Sequence, residues 1–137
     1  MGRKVRPNSP DQAYHRFSHK MARLGAPVRR DFSLVDAIVL DPDRIDEFDC
    51  PVVEFYALDR RQETYPLPCI VCIDVDPYDR DMGIGTRIVR TWETYLTEIG
   101  CRFAGAAEVE NPHFWRQLGY RPTSEDPTFW AKELRKS

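Results

Sequence analysis

No stretch of this 137-residue chain is apolar for the ~20 residues that a helix needs to cross a bilayer. Its basic start, Met1-Gly2-Arg3-Lys4-Val5-Arg6, leads into no apolar run, which argues against a secretory signal, and lacks the Ser or Thr of a myristoylation site. The expectation is a cytoplasmic protein without membrane contact. Cysteine is scarce, with four in all. Of Cys50, Cys69, Cys72 and Cys101, only Cys69 and Cys72 are spaced C-x-x-C, and no second pair is present to complete a zinc site. Reduced core thiols are expected rather than disulfides. Residues three apart on a strand point to opposite faces, which would also separate Cys69 from Cys72. Histidine is as sparse, at three. His15 and His19 share a helix face but lack a third ligand, so no metal is expected. Repeats and low-complexity tracts are missing, and the length fits one domain with one core.

Charge is present in quantity but unevenly placed. Eight basic residues up to Arg30 face only Asp11, a net of about +7, which leaves about −9 to the remainder of a chain whose total is −2. The division suggests a basic arm over residues 1–30 and an acidic body over residues 31–137. The arm can bind nucleic acid, fold back onto acidic residues of its own domain, or stay solvated.

Along the chain, Ser9-Pro10-Asp11-Gln12 reads as a helix start with Ser9 as N-cap. Tyr14, Phe17, Met21 and Leu24 follow at helical spacing until Gly25 and Pro27 end the pattern. The stripe suits packing on a sheet, and a helix ahead of the core also suits a homodimer contact. Phe32 to Leu40 reads as a strand, Asp41 to Phe48 as a turn or short helix, and Val52 to Leu58 as a second strand. Asp59 to Pro68 reads as a loop into a third strand, Cys69 to Val75, and together the three suggest an antiparallel meander. A helix from Ile84 to Ile99 closes at Gly100. Arg102 to Val109 then reads as a strand that must run parallel to the third, because a helical crossover joins them. His113 to Leu118 is expected as a short helix, and Tyr120 to Thr123 with Thr128 to Leu134 as a final pair of strands. The fold class is therefore α/β, in the α+β sense of a mixed, mostly antiparallel sheet with a parallel central pair and helices on its faces.

The junction between the third strand and the long helix is the most informative stretch. Gly83 and Gly85 leave the backbone uncovered where a helix begins, so several N–H groups can point at one phosphate or pyrophosphate. A Gly-x-Gly also serves as a tight turn. Arg80-Asp81-Met82-Gly83-Ile84-Gly85, preceded by Val75-Asp76-Pro77, resembles the Arg/Gln-x-x-Gly-x-Gly/Ala signature of the GNAT superfamily of acyl-CoA N-acyltransferases. Phe114-Trp115-Arg116-Gln117-Leu118-Gly119-Tyr120 is similar to that family's second signature, commonly Phe-Tyr-x-x-Leu-Gly-Phe. The two stand in the right order with a helix and a strand between them, and the resemblance covers roughly residues 51–134.

The resemblance implies acetyl-CoA as co-substrate, entering between a splayed pair of parallel strands, and a primary amine of a small molecule or protein as acceptor. Arg80, Asp81, Met82, Gly83, Ile84, Gly85 and Thr86 would hold the pyrophosphate, with Val75, Asn111 and Trp115 beside the cofactor. The Val75 N–H would stabilise the oxyanion as the amine attacks the thioester directly. Many members place a tyrosine acid where this chain has Trp115, and a histone-acetylating branch has a glutamate near the position of Cys69. Glu108, Glu110 and His113 are the replacement candidates for proton transfer, with Asp74, Asp76, Tyr78 and Tyr120 close by. The acidic body favours a cationic acceptor. A catalytically degenerate CoA-binding protein and a tRNA-directed acetyltransferase are the alternatives.

Overall fold

The computed structural model describes residues 9–33, 36–44, 51–76 and 83–134. Helix α1, Pro10–Arg23, starts where expected: the Ser9 hydroxyl accepts the Gln12 N–H at 3.3 Å, and Pro10 occupies the first turn. It ends in Gly25, whose φ of 81° places it in the left-handed region. Ala13, Phe17 and Met21 form its buried stripe.

The chain from Val28 to Leu40 corrects the expectation of one strand from Phe32. It forms two strands, β1 (Val28–Asp31) and β2 (Ala37–Leu40), paired antiparallel with Val28 opposite Leu40 and Asp31 opposite Ala37. The cause is local. The Asp31 carboxylate accepts from the Ser33 N–H at 3.0 Å and from its hydroxyl at 2.6 Å, an Asx turn that starts the reversal and leaves Phe32 72% exposed. A second Asx turn follows β2, where Asp41 accepts from the Asp43 N–H at 3.0 Å. The rest of the expected helix, residues 45–48, lies outside the described residues, as does Cys50.

Strands β3 (Val52–Leu58) and β4 (Cys69–Val75) continue the antiparallel meander at the expected positions. Helix α2 (Ile84–Glu98) crosses over to β5 (Phe103–Ala106), which runs parallel to β4. A short helix α3 (Pro112–Gln117) leads to β6 (Arg121–Pro122) and β7 (Trp130–Glu133), an antiparallel pair whose β7 lies against β5. The sheet order is β1-β2-β3-β4-β5-β7-β6. Gly105 in β5 is required by packing, because a Cβ there would lie 2.5 Å from the Phe129 ring and 3.0 Å from Cys69 Cβ.

The main core lies on the face covered by α1 and α2, where Phe17, Trp92 and Tyr95 meet Phe55 and Ile70. A smaller cluster of Ala37, Leu58, Cys69, Ala107 and Phe129 occupies the opposite face, with Tyr56, Tyr65 and Val71 around it. Two bulges set which residues reach each face. Glu54 pairs with Asp74 next to Val52 with Val75, leaving Val53 over, and Tyr56 pairs with Cys72 next to Ala57 with Ile70, leaving Val71 over. The second bulge overturns the expected separation of the thiols: Cys72 stands opposite Tyr56, on the same face as Cys69.

Two arginines of the basic region fold back on the acidic body. Arg16 pairs with Glu98 at 3.0 Å. Arg30 reaches Asp59 at 2.6 Å and Asp36 at 3.3 Å, accompanied by the Tyr95 hydroxyl and stacked 4.6 Å over the Tyr14 ring. This knot ties α1, β1 and α2 to the end of β3.

Candidate active site

The site begins where the parallel pair stops. β4 and β5 are in register only at Cys69 with Gly105 and Ile70 with Ala106, and an Ala107 N–H to Ile70 carbonyl bond of 2.9 Å follows. β4 then runs on to Val75, whereas the chain after β5 turns away at Glu108, whose φ is 50°, and bonds instead through the Val109 N–H to Thr128 at 2.9 Å. This left-handed glutamate explains why β5 is shorter than the expected Arg102 to Val109. The divergence opens a gap at the C-terminal end of β4.

One side of the gap is a cleft of about 360 Å³. Its walls are Ile73, Asp74 and Val75 of β4, Gly83, Gly85 and Thr86 at the start of α2, and Asn111, Phe114, Trp115 and Gln117 from α3 and its approach. Gly83 is left-handed (φ 72°) and supplies no side-chain cap to α2. A left-handed residue followed by helical ones turns successive N–H groups toward a common side, and the first turn of a helix has no acceptors for its N–H groups within the helix. A Cβ on Gly85 would touch the Phe114 ring at 3.4 Å and Val75 at 3.9 Å, which places this backbone directly beside the cleft wall. The Asp76 N–H is donated to the Pro51 carbonyl at 2.6 Å. Strand alternation therefore turns the Val75 N–H the other way, toward the gap. An N-terminal helix turn without a side-chain cap beside an open cleft suits a phosphate or diphosphate group.

The other side is a larger cavity of about 930 Å³ on the sheet face away from α1 and α2. Glu54 and Tyr56 of β3, Cys72 and Asp74 of β4, Tyr65 of the β3–β4 loop, and Glu108 and Glu110 beyond β5 contribute its polar wall. Ile73, Asp74, Asn111 and Trp115 line both spaces, so the two meet at the splay. The Cys72 thiol reflects the cavity's charge. Burial raises its pKa, a hydrogen bond to Glu54 and the charges of Glu54, Asp74 and Glu110 raise it further, and it stands at about 11. Such a thiol is protonated at neutral pH and is a poor nucleophile.

The candidate residues are distributed unequally. Val75 (8% exposed), Gly83, Gly85, Thr86, Asn111 and Trp115 line the smaller cleft. Glu108 and Glu110 line the acidic cavity. His113 is exposed on α3 and lines neither space, and Ile84 packs toward the main core. Arg80, Asp81, Met82 and Tyr78 lie outside the described residues. Tyr120 is fully buried on the helix side of the sheet, donating its hydroxyl to Glu93 at 2.8 Å, with Lys132 Nζ 3.1 Å from both Glu93 oxygens. Burial and the Glu93 carboxylate push its pKa far up, so it holds its proton and gives none to the gap. Trp115 is 6% exposed and wedged edge-on between Phe114 and Tyr120.

Sequence reasoning missed Glu54, Tyr56, Cys72 and Tyr65 as cavity residues. Glu54 and Tyr56 carried a signal, two polar residues at strand period within an apolar run, but their shared face with Cys72 depends on bulges that no spacing announces. Tyr65 sits in an irregular loop, where position cannot be read from periodicity.

No protein-family model matches the chain, and no curated protein matches it in sequence. Its fold is found among solved structures. An acetyltransferase of the GNAT family from Staphylococcus aureus superposes with a TM-score of 0.55 at 12% identity, covering 97% of this chain and 82% of that one. A GNAT family N-acetyltransferase from Escherichia coli, solved in complex with CoA, gives 0.51 at 15% identity over 90% of this chain and 68% of that one. An acetyltransferase from Bacillus cereus gives 0.50 at 17% identity over 98% and 96%. The chain has the GNAT fold, and among the described residues its mixed sheet holds one parallel pair, β4 and β5.

Proposed function

We propose that this chain is an acyl-CoA-dependent N-acetyltransferase that moves acetyl from acetyl-CoA to a primary amine carried by a cationic acceptor. The observation that carries the reading is the meeting, at the splayed ends of β4 and β5, of a cleft built on an uncapped helix start with a cavity walled by four carboxylates. The CoA bound in the Escherichia coli structure of the same fold supports CoA as the donor.

The residues support direct attack. The N–H groups of Ile84, Gly85 and Thr86 would hold the pyrophosphate, and the Val75 N–H would stabilise the developing oxyanion. Cys72, which lines the acidic cavity, is held protonated, which disfavours an acyl-cysteine intermediate there. Glu54, Asp74, Glu108 and Glu110 form a negative field that concentrates a protonated amine by about tenfold or more before it loses its proton and attacks. Asp76 lies beyond the end of β4, outside both linings.

The test is thiol release from acetyl-CoA with amines of graded charge. Amine-dependent release is expected, with kcat/KM for a dication about tenfold above that of a neutral hydroxylated amine of similar length, and the advantage should shrink with added salt. Equal values for charged and neutral amines would remove the cationic acceptor. A second reading, CoA binding without turnover, is favoured by Trp115, whose indole replaces the acid expected there. Tight CoA binding with no thiol release across the series and across pH would establish it.

A further inference from the structure

Glu108 combines three features. Among the described residues it alone, apart from glycine, has a positive φ, at 50°. Left-handed backbone strains a residue with a Cβ, and such strain concentrates where a side chain must be aimed. Its side chain lines the acidic cavity at the point where the chain leaves β4. Its Oε2 accepts the Tyr65 hydroxyl at 3.4 Å.

Tyr65 comes from the loop between β3 and β4 and is fixed from behind. Its ring stacks on Phe129 with centroids 6.4 Å apart and planes 20° from parallel. Phe129 in turn lies so close over Gly105 that a Cβ there would be 2.5 Å from its ring. The column Tyr65–Phe129–Gly105 thus references the hydroxyl to β5, the strand that leads into Glu108.

We propose that Tyr65 is a positioning residue that orients the Glu108 carboxylate as acceptor of the amine proton. This rests on the acetyltransferase reading. In the step, the amine lone pair forms the N–C bond at the thioester carbonyl, and the proton released from nitrogen passes to Glu108. The C–S bond then breaks, the CoA thiolate takes a proton from solvent, and Glu108 returns its proton to water. The products are the amide and CoA thiol. The loop from Asp59 to Pro68 is thereby part of the site rather than a connector.

A double-mutant cycle on thiol release tests the assignment. Tyr65→Phe keeps the ring on Phe129 and removes only the hydroxyl. It should lower kcat about tenfold while leaving the KM for acetyl-CoA and the melting temperature unchanged, and Glu108→Gln should lower kcat about a hundredfold. In the Glu108→Gln background, Tyr65→Phe should cost less than about twofold, because the group it positions is gone. A full tenfold loss in that background, or an unaltered kcat for Tyr65→Phe alone, overturns the proposal while leaving the acetyltransferase reading in place. Absence of turnover in the unaltered chain overturns both.

Discussion

At the scale of single residues, environment decides which of the plausible groups can act. Cys72 and Tyr120 both sit near the motifs that drew attention to this region, yet burial and adjacent carboxylates keep the proton on each. For Cys72 the consequence is measurable. With a pKa near 11, only about one part in ten thousand is thiolate at pH 7, so alkylation by iodoacetamide should be slow there and rise steeply above pH 9. Cys72→Ala should keep kcat within about twofold if the amine attacks the thioester directly. Loss of turnover in that variant would point to an acyl-cysteine. Glycine acts through what it leaves out, as Gly105 does where a Cβ would lie 2.5 Å from the Phe129 ring.

At the scale of elements, the ends of helices and strands matter more than their middles. α1, β3, β4 and α2 lie where periodicity, capping and glycine place them, because each of these signals is local. The reversal at Asp31 was hidden, since Phe32 continues the apolar pattern while the Asp31 carboxylate captures Ser33 and turns the chain. The bulge at Val71 was hidden as well, because it is a property of pairing with β3 and not of β4 alone. The knot around Asp59 shows how the N-terminal elements are tied to the rest. Burial drives this carboxyl's pKa up, but hydrogen bonds from Arg30 and Tyr95 and the Arg30 charge outweigh it and hold the pKa below the usual range. Its contribution to stability is complete above about pH 5, where an unfolded carboxyl of pKa ~3.9 is already ionised, and is lost as the pH falls through the lower folded value. Asp59→Ala leaves Arg30 without its main partner and should cost about 3 kcal/mol at pH 7 in urea unfolding. That difference should narrow toward pH 2. A difference that stays constant with pH would contradict the ion-pair account.

At the scale of the whole molecule, topology was legible and the site only partly so. The helical crossover from β4 through α2 requires a parallel neighbour, and the final pair completes the sheet on that neighbour's far edge, as the order of elements implied. The smaller cleft could be anticipated because its glycines and aromatic pair are sequence motifs. The acidic cavity could not, because its carboxylates come from β3, β4 and the segment beyond β5, and only the folded sheet brings them to one space. The fold thus brings the smaller cleft and the acidic cavity together at the splay.

A crystal structure of the chain soaked with acetyl-CoA tests the central claim most directly. The account predicts the pyrophosphate within hydrogen-bonding distance of the N–H groups of Ile84 to Thr86, with the thioester carbonyl oxygen at the Val75 N–H and its carbonyl carbon open to the acidic cavity. Acetyl-CoA bound away from the α2 start, or with its thioester outside the gap between β4 and β5, would contradict it.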